Sequence, residues 1–230
     1  METEGGMMDN DTWDLIVRAL PLLLKGAMLS LQIFAIATLL SLILGLIMGC
    51  VICRRLRYGW ISPLIEGMTF VLRAVPVYVQ LLIAYFVLPD LLGLELEAFS
   101  AAIIALSLCS AGYTAQIVRG GLNAVPTEQW EAAYTLGYSV INTLRCIIFP
   151  QLLRNILPAL TGEFDSLLKS TAILASIGLL ELTRAGMNIV SREMNPLPIY
   201  LTVAFLYIII SAAINVFSKK LERRLRYANN

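Results

Sequence analysis

Within an otherwise apolar stretch of this 230-residue chain stand Glu163, Asp165 and Lys169, side chains whose chemistry is recognition. Each charge at a helix centre costs about 2.5–3.5 kcal/mol to insert into a bilayer, so such groups should face protein or water. Asp165 and Lys169 are four apart, hence on one helix face, and can pair. That pair suits a lock between neighbouring helices, with Lys169 also a candidate substrate contact. Glu163, Ser166 and Ser170 share another face, with Thr171 beside them. A carboxylate there can receive an ammonium or guanidinium group. Arg73 is a further charge at membrane depth, and Pro76 three residues on removes a backbone donor and loosens the helix. Arg73 suits an inter-helix anchor, or a gate or carboxylate contact. Gln80, a turn beyond Pro76, and Tyr113 in the next apolar segment are candidates to line the same cavity.

A second constellation is Glu131-Ala132-Ala133, then Gly137, then Ile147-Ile148-Phe149-Pro150. Pro126 and Thr127 begin a short helix with Glu128 and Glu131 near its positive end. Gly137 stops that helix, and Ser139 caps a second one expected to run to Phe149 before Pro150. Trp130, Ala133, Tyr134, Gly137 and Ile141 keep a spacing of three to four, predicting one apolar side. A polar helix–glycine–helix unit between apolar segments suits a docking site, with a purely structural surface or re-entrant loop as the alternative.

The elements around these residues are apolar throughout. Hydrophobic residues make up 58% of the chain and charged ones 14%, against about 45–50% and 25% in a soluble domain. Five segments are long enough to cross a bilayer: Ala27–Ile52, Leu64–Leu88, Phe99–Val118, Ile156–Leu174 and Ile199–Phe217. Each has about 19–26 residues, where about 20 suffice. The fold class expected is therefore all-α, a polytopic membrane protein of five transmembrane helices. An amphipathic prelude, Trp13–Leu24, is expected along the outer surface. Residues 1–14 are acidic (Glu2, Glu4, Asp9, Asp11, Asp14) and do not read as a cleavable signal.

Basic residues orient the spans. Arg54, Arg55 and Arg57 follow the first, Arg119, Arg145 and Arg154 lie between the third and fourth, and Lys219, Lys220, Arg223, Arg224 and Arg226 close the chain. The positive-inside rule places all three stretches in the cytoplasm, with the N-terminus outside and the C-terminus inside. The expected organisation is an external segment 1–26, a permease domain 27–218 containing the cytoplasmic segment 119–155, and a cytoplasmic tail 219–230.

Net charge is +1, so no bulk basic field points to nucleic acid. Four cysteines do not form a disulfide framework: Cys50 and Cys53 lie in one apolar segment, Cys109 in another and Cys146 in the Glu131–Pro150 unit. With no histidine and no partner pair, Cys50-x-x-Cys53 reads as small core hydrophobes rather than a redox or metal pair. No G-x-x-x-x-G-K-[ST] run is present, so nucleotide phosphates are not cradled here by a P-loop. No catalytic residue is identified, and no cofactor is expected in this chain.

The Glu131–Pro150 pattern resembles the cytoplasmic E-A-A…G…I-x-L-P motif of permease subunits of bacterial ATP-binding-cassette importers, with Phe149 in place of the usual leucine. The resemblance extends from Leu24 to Leu225. It is narrower in the polar amino-acid uptake branch (histidine, glutamine and arginine types). Its R-G-T-P-L-x-V-Q element is matched loosely by Arg73–Gln80, Y-x-A-E-x-x-R-G-G by Tyr113–Gly121, and N-E-F-x-x-L-L-K by Gly162–Lys169. Ala74-Val75, Gln116 and Asp165 depart from those elements.

The resemblance implies the type I importer architecture and a multi-pass place in the bacterial inner membrane. It implies a non-enzymatic role, with ATP and Mg held by two copies of a partner ATPase. Glu131, Ala132, Ala133, Gly137, Ile147 and Pro150 would couple to that ATPase. The remaining partners implied are a second permease, identical or sister, an extracytoplasmic substrate-binding protein and surrounding membrane lipid. Substrate contacts would come from Glu163, Lys169, Ser170, Thr171, Arg73, Gln80 and Tyr113. Glu163 and Asp165 favour a basic amino acid such as arginine, lysine or histidine. A neutral or acidic one such as glutamine, or an ATP-independent secondary transporter or channel, is the alternative.

Overall fold

The computed structural model describes residues 10–227, with side chains for residues 11–224. Glu2, Glu4, Asp9, residues 228–230 and the Arg226 side chain lie outside the described residues. The described chain is helical, with no strand among its residues. Its elements are α1 (Asn10–Ile52), α2 (Ile61–Ala74), α3 (Val77–Leu82), α4 (Leu88–Leu92), α5 (Ala98–Asn123), α6 (Thr127–Thr135), α7 (Val140–Thr143), α8 (Phe149–Ser170), α9 (Leu182–Glu193) and α10 (Pro196–Tyr227). Wide π turns at Ile83–Val87 and Leu144–Ile148 precede α4 and α8, and a 3₁₀ segment, Thr171–Ile177, follows α8.

Three helices, α1, α5 and α10, are each long and apolar enough to cross a membrane. Two bent pairs are further candidates, one turning by 100° between α2 and α3, the other by 48° between the α8 run and α9. With each bent pair taken as one span, the candidates number five, as expected.

The centre is the pair α1 and α5. Gly45 and Gly49 of α1 lie four apart and face α5, where an added Cβ would come within 2.5 Å of Thr114 and 2.6 Å of Val118 respectively. Small residues at that spacing let two helix backbones approach closely in a bilayer. Both contacts advance in the same direction, so α1 and α5 run parallel. The α8 helix runs against them: Glu163 meets Ser110, and Ile156 covers Gly121.

The structure corrects three expectations. Trp13–Leu24 is not a separate surface helix but the first part of α1, 43 residues long and continuous through Pro21. At 1.5 Å per residue it extends over about 64 Å, twice the hydrocarbon thickness. Its stripe Leu15, Ala19, Leu23 and Ala27 has a partner, burying against Leu182, Ala185, Ile189, Ile199 and Val203 of α9 and α10. The second short helix does not end before Pro150; it passes through the π turn into α8. Pro150 lacks an N–H and its ring would crowd the Cys146 carbonyl, and a widened turn relieves both. Pro89 follows the other π turn in the same manner. The predicted single apolar side of residues 130–141 is in fact divided: Trp130 and Ala133 are buried, whereas Tyr134, Gly137 and Ile141 are exposed. The reversal at Gly137 prevents helical spacing from carrying across it.

Candidate functional site

Pro76 generates the site. In an unbroken helix its N–H would bond the Leu72 carbonyl; proline has none. Gln80 supplies the missing donor, its Nε2 donating to Leu72 O at 2.7 Å and to Val75 O at 2.9 Å. The α2–α3 bend is thus held by one amide side chain. Beneath it lies a cavity of about 430 Å³ lined by Arg73–Val77 of the bend, Leu106, Cys109, Ser110 and Tyr113 of α5, and Glu163, Ser166, Leu167 and Ser170 of α8. The helix period explains the lining: Leu106, Ser110 and Tyr113 share a face of α5, as Glu163, Ser166 and Ser170 do of α8.

Its two formal charges have opposite sign and sit on different walls. Glu163 Oε1 accepts from Ser110 Oγ at 2.7 Å, and among the described residues no basic side chain pairs with it. Arg73 Nε donates to Thr69 O at 3.2 Å and forms no ion pair among the described residues, leaving guanidinium donors for a guest. Tyr113 donates through its hydroxyl to Arg73 O at 3.4 Å, fixing that wall. The cavity can therefore receive a cationic group on one side and an anionic one on the other.

Of the seven residues expected at a substrate site, Glu163, Ser170, Arg73 and Tyr113 line this cavity together. Gln80 stands behind the bend. Lys169 Nζ pairs with Asp165 Oδ2 at 2.5 Å, and Asp165 also accepts from Ser211 of α10. That cluster ties α8 to α10 and lies off the cavity. Thr171 is buried, its hydroxyl donating to Leu168 O at 2.7 Å. Ser110 and Cys109 belong to the lining and escaped sequence reading; Ser110, one turn before Tyr113, carried the only signal.

Glu181 also escaped it. Lying outside every apolar segment singled out in the sequence, it is fully buried at the α8–α9 bend. Its carboxylate accepts from Thr183 N at 2.8 Å, Arg184 N at 2.7 Å and Tyr207 Oη at 3.2 Å, capping α9. Ser30 Oγ lies 3.5 Å away and accepts from Leu182 N. Only a glycine fits opposite: a Cβ on Gly26 would stand 2.9 Å from the Glu181 carbonyl.

The second constellation is a projection of two short helices, α6 and α7. Tyr138 N donates to Ala133 O and Gly137 N to Tyr134 O, both at 3.0 Å, with Gly137 at φ +78°. This is a Schellman ending, which requires the left-handed conformation glycine adopts without strain. Ser139 then accepts from Asn142 N at 3.3 Å and caps α7. Trp130 anchors the unit in a core that includes Val118, Leu122, Ile148 and Leu152, and Ala133 is buried. Outward it presents Glu131, Ala132, Tyr134, Leu136, Tyr138 and Ile141, with Leu136 at 74% and Ile141 at 75% exposure. Ile147 is half-buried and Pro150 exposed.

Residues 41–227 match the model of the binding-protein-dependent transport system inner membrane component family. The chain is 34% identical over 208 residues to the arginine transport system permease protein ArtQ of Bacillus subtilis, covering 90% of this chain and 94% of ArtQ. It is also 34% identical over 216 residues to the glutamine transport system permease protein GlnP of Escherichia coli K12, covering 93% and 97%. The crystal structure of an amino acid ABC transporter with histidines superposes with a TM-score of 0.81 at 32% identity, covering 91% of this chain and 96% of that one. The inward-facing MetNI methionine transporter, at 19% identity and a TM-score of 0.77, shares the fold. With the family model spanning most of its length, this chain belongs to the inner-membrane permease components of binding-protein-dependent ATP-binding-cassette importers.

Proposed function

We propose that the chain imports a polar amino acid, preferentially a basic one, through the cavity beneath the α2–α3 bend. The observation that carries this is the pair of opposite charges on its walls, Arg73 and Glu163, neither neutralised by an ion-pair partner among the described residues. Arg73 would hold the α-carboxylate, and Glu163 an ammonium or guanidinium group. The sequence relatives named for arginine and for glutamine match equally well, so a neutral side chain is the second reading.

In this reading the N-terminus is external, and the projection α6–α7 faces the cytoplasm. Its exposed Tyr134, Leu136, Tyr138 and Ile141 enter a groove on a separate ATPase subunit, two copies of which serve two permeases. A binding protein delivers the substrate outside. Closure of the ATPase pair then switches the cavity between inward and outward access by rigid-body movement.

The test is ATPase stimulation and uptake by the reconstituted complex over a panel of amino acids. Arginine, lysine or histidine should stimulate most; stimulation by glutamine alone selects the second reading, and turnover without an ATPase rejects the class. Gly137→Val forces a β-branched residue into left-handed backbone at about 1–2 kcal/mol. It should abolish coupling while membrane insertion persists. Normal uptake by that variant would reject α6–α7 as the docking element.

A further inference from the structure

A second polar cleft, of about 350 Å³, lies away from the cavity, where the ends of α1 and α5 meet α2. Arg54, Arg57 and Arg119 line it with Glu66, Gln116 and Asn123. Glu66 is shared, accepting from Arg57 Nη2 at 2.9 Å and from Arg119 Nη1 at 2.6 Å. The Arg54 guanidinium has no hydrogen-bond or ion-pair partner among the described residues. Its backbone N–H donates to Asn123 Oδ1 at 3.1 Å, which leaves the Asn123 amide nitrogen as a further donor. Three guanidiniums face one carboxylate. The C-termini of α1 and α5 offset roughly half a charge each, so about one full positive charge remains.

An independent feature sets the depth of this cleft. Tyr58 and Trp60, in the turn between α1 and α2, are 70% and 74% exposed. Ser62 holds that turn, its Oγ accepting from Tyr58 N at 2.8 Å and donating to Val51 O at 2.7 Å. Exposed Trp and Tyr beside an apolar span sit at the headgroup level of a bilayer. A basic pocket between spans at that level is the form in which proteins take lipid phosphates.

We propose that this cleft binds the phosphate of an anionic membrane lipid, with Arg54 as its fork-shaped donor and Arg57, Arg119 and Asn123 completing the shell. Only the choice of leaflet, the cytoplasmic one, rests on the orientation proposed above.

The test uses the purified full-length chain in nanodiscs of phosphatidylglycerol and phosphatidylcholine, read by native mass spectrometry as lipid retained. Melting temperature is followed in parallel against added phosphatidylglycerol and inorganic phosphate. The wild type should retain phosphatidylglycerol over phosphatidylcholine, and Arg54→Gln should weaken retention by about tenfold or more, as loss of a charge-assisted contact does. Arg54→Lys should weaken it less. Asn123→Asp, which keeps the acceptor for Arg54 N and adds a negative charge, should abolish it and serves should Arg54→Gln fail to fold. Lys219→Gln with Lys220→Gln, basic residues outside the cleft, should leave it unchanged. Undiminished retention in Arg54→Gln or Asn123→Asp overturns the site, as does an equal loss in the lysine double variant. Stabilisation by inorganic phosphate but not by phosphatidylglycerol would overturn the lipid assignment in favour of a free anion.

Discussion

At the α2–α3 bend the backbone turns by 100° around Pro76, while at the α8–α9 bend it turns by 48° around Gly178 and Glu181. The first is closed by a neutral amide, Gln80, standing behind the break, and the charged residues in front of it face a cavity. The second is closed by a carboxylate, Glu181, that has no exposure and spends its acceptors on α9 and α10. Burial of a charged group is tolerated only where hydrogen bonds satisfy it, and Glu181 meets that condition within the chain. Glu163 meets it halfway, with one serine. An acid whose acceptors are all used serves as a fastening; an acid with acceptors left over, on a cavity wall, is available to a guest.

Substitutions at the two bends should therefore differ in kind. The largest effect on stability is expected from Glu181→Ala, which orphans Thr183 N and Arg184 N and leaves the Tyr207 hydroxyl only Thr183 Oγ1 as partner. At about 1–3 kcal/mol for each unsatisfied buried donor, about 2 kcal/mol or more is lost, read as a marked fall in the melting temperature of the solubilised chain. Glu181→Gln keeps one acceptor oxygen and should lose about half as much. A variant lacking Glu181 that melts like the wild type would reduce the fastening to a spectator.

A smaller effect is expected from Gln80→Leu, about 1–2 kcal/mol, because the Leu72 and Val75 carbonyls lose one shared donor. Its signature is functional: Arg73 shifts with the loosened bend, so uptake should fall for every substrate alike. Selective loss of cationic substrates in this variant would place Gln80 in the cavity. The smallest effect is expected from Asp165→Asn. Asparagine there keeps an oxygen that can accept from Ser211 or from Lys169 Nζ, so the tie between α8 and α10 persists. Stability and substrate ratio should both stay near wild type in uptake and melting assays; a changed ratio would move recognition to the α8–α10 cluster.

The elements were legible in the sequence because apolar length is a local signal. So was the α6–α7 unit, whose Pro126, Gly137 and Ser139 each act on their own backbone. Tertiary pairing hid the rest. Trp13–Leu24 joins α1 only because α9 and α10 cover its stripe. Gln80 reads as a cavity residue until the carbonyl that Pro76 leaves vacant is located. Glu181 looks like loop charge because its partners, Ser30 and Tyr207, lie 151 and 26 residues away. Lys169 and Thr171 adjoin Glu163 in sequence, yet the turn of α8 points them elsewhere.

The most direct measurement is concentration-dependent uptake by the reconstituted complex carrying Glu163→Gln, with the binding protein saturating and arginine compared with glutamine. Glutamine in place of Glu163 keeps the shape and the bond with Ser110 while removing the charge. Losing a charge-assisted contact of about 1.5–3 kcal/mol should weaken arginine handling by roughly 10- to 150-fold and glutamine handling far less. Equal loss for both substrates, or none for either, would contradict the assignment of Glu163 as the group that receives the cationic side chain.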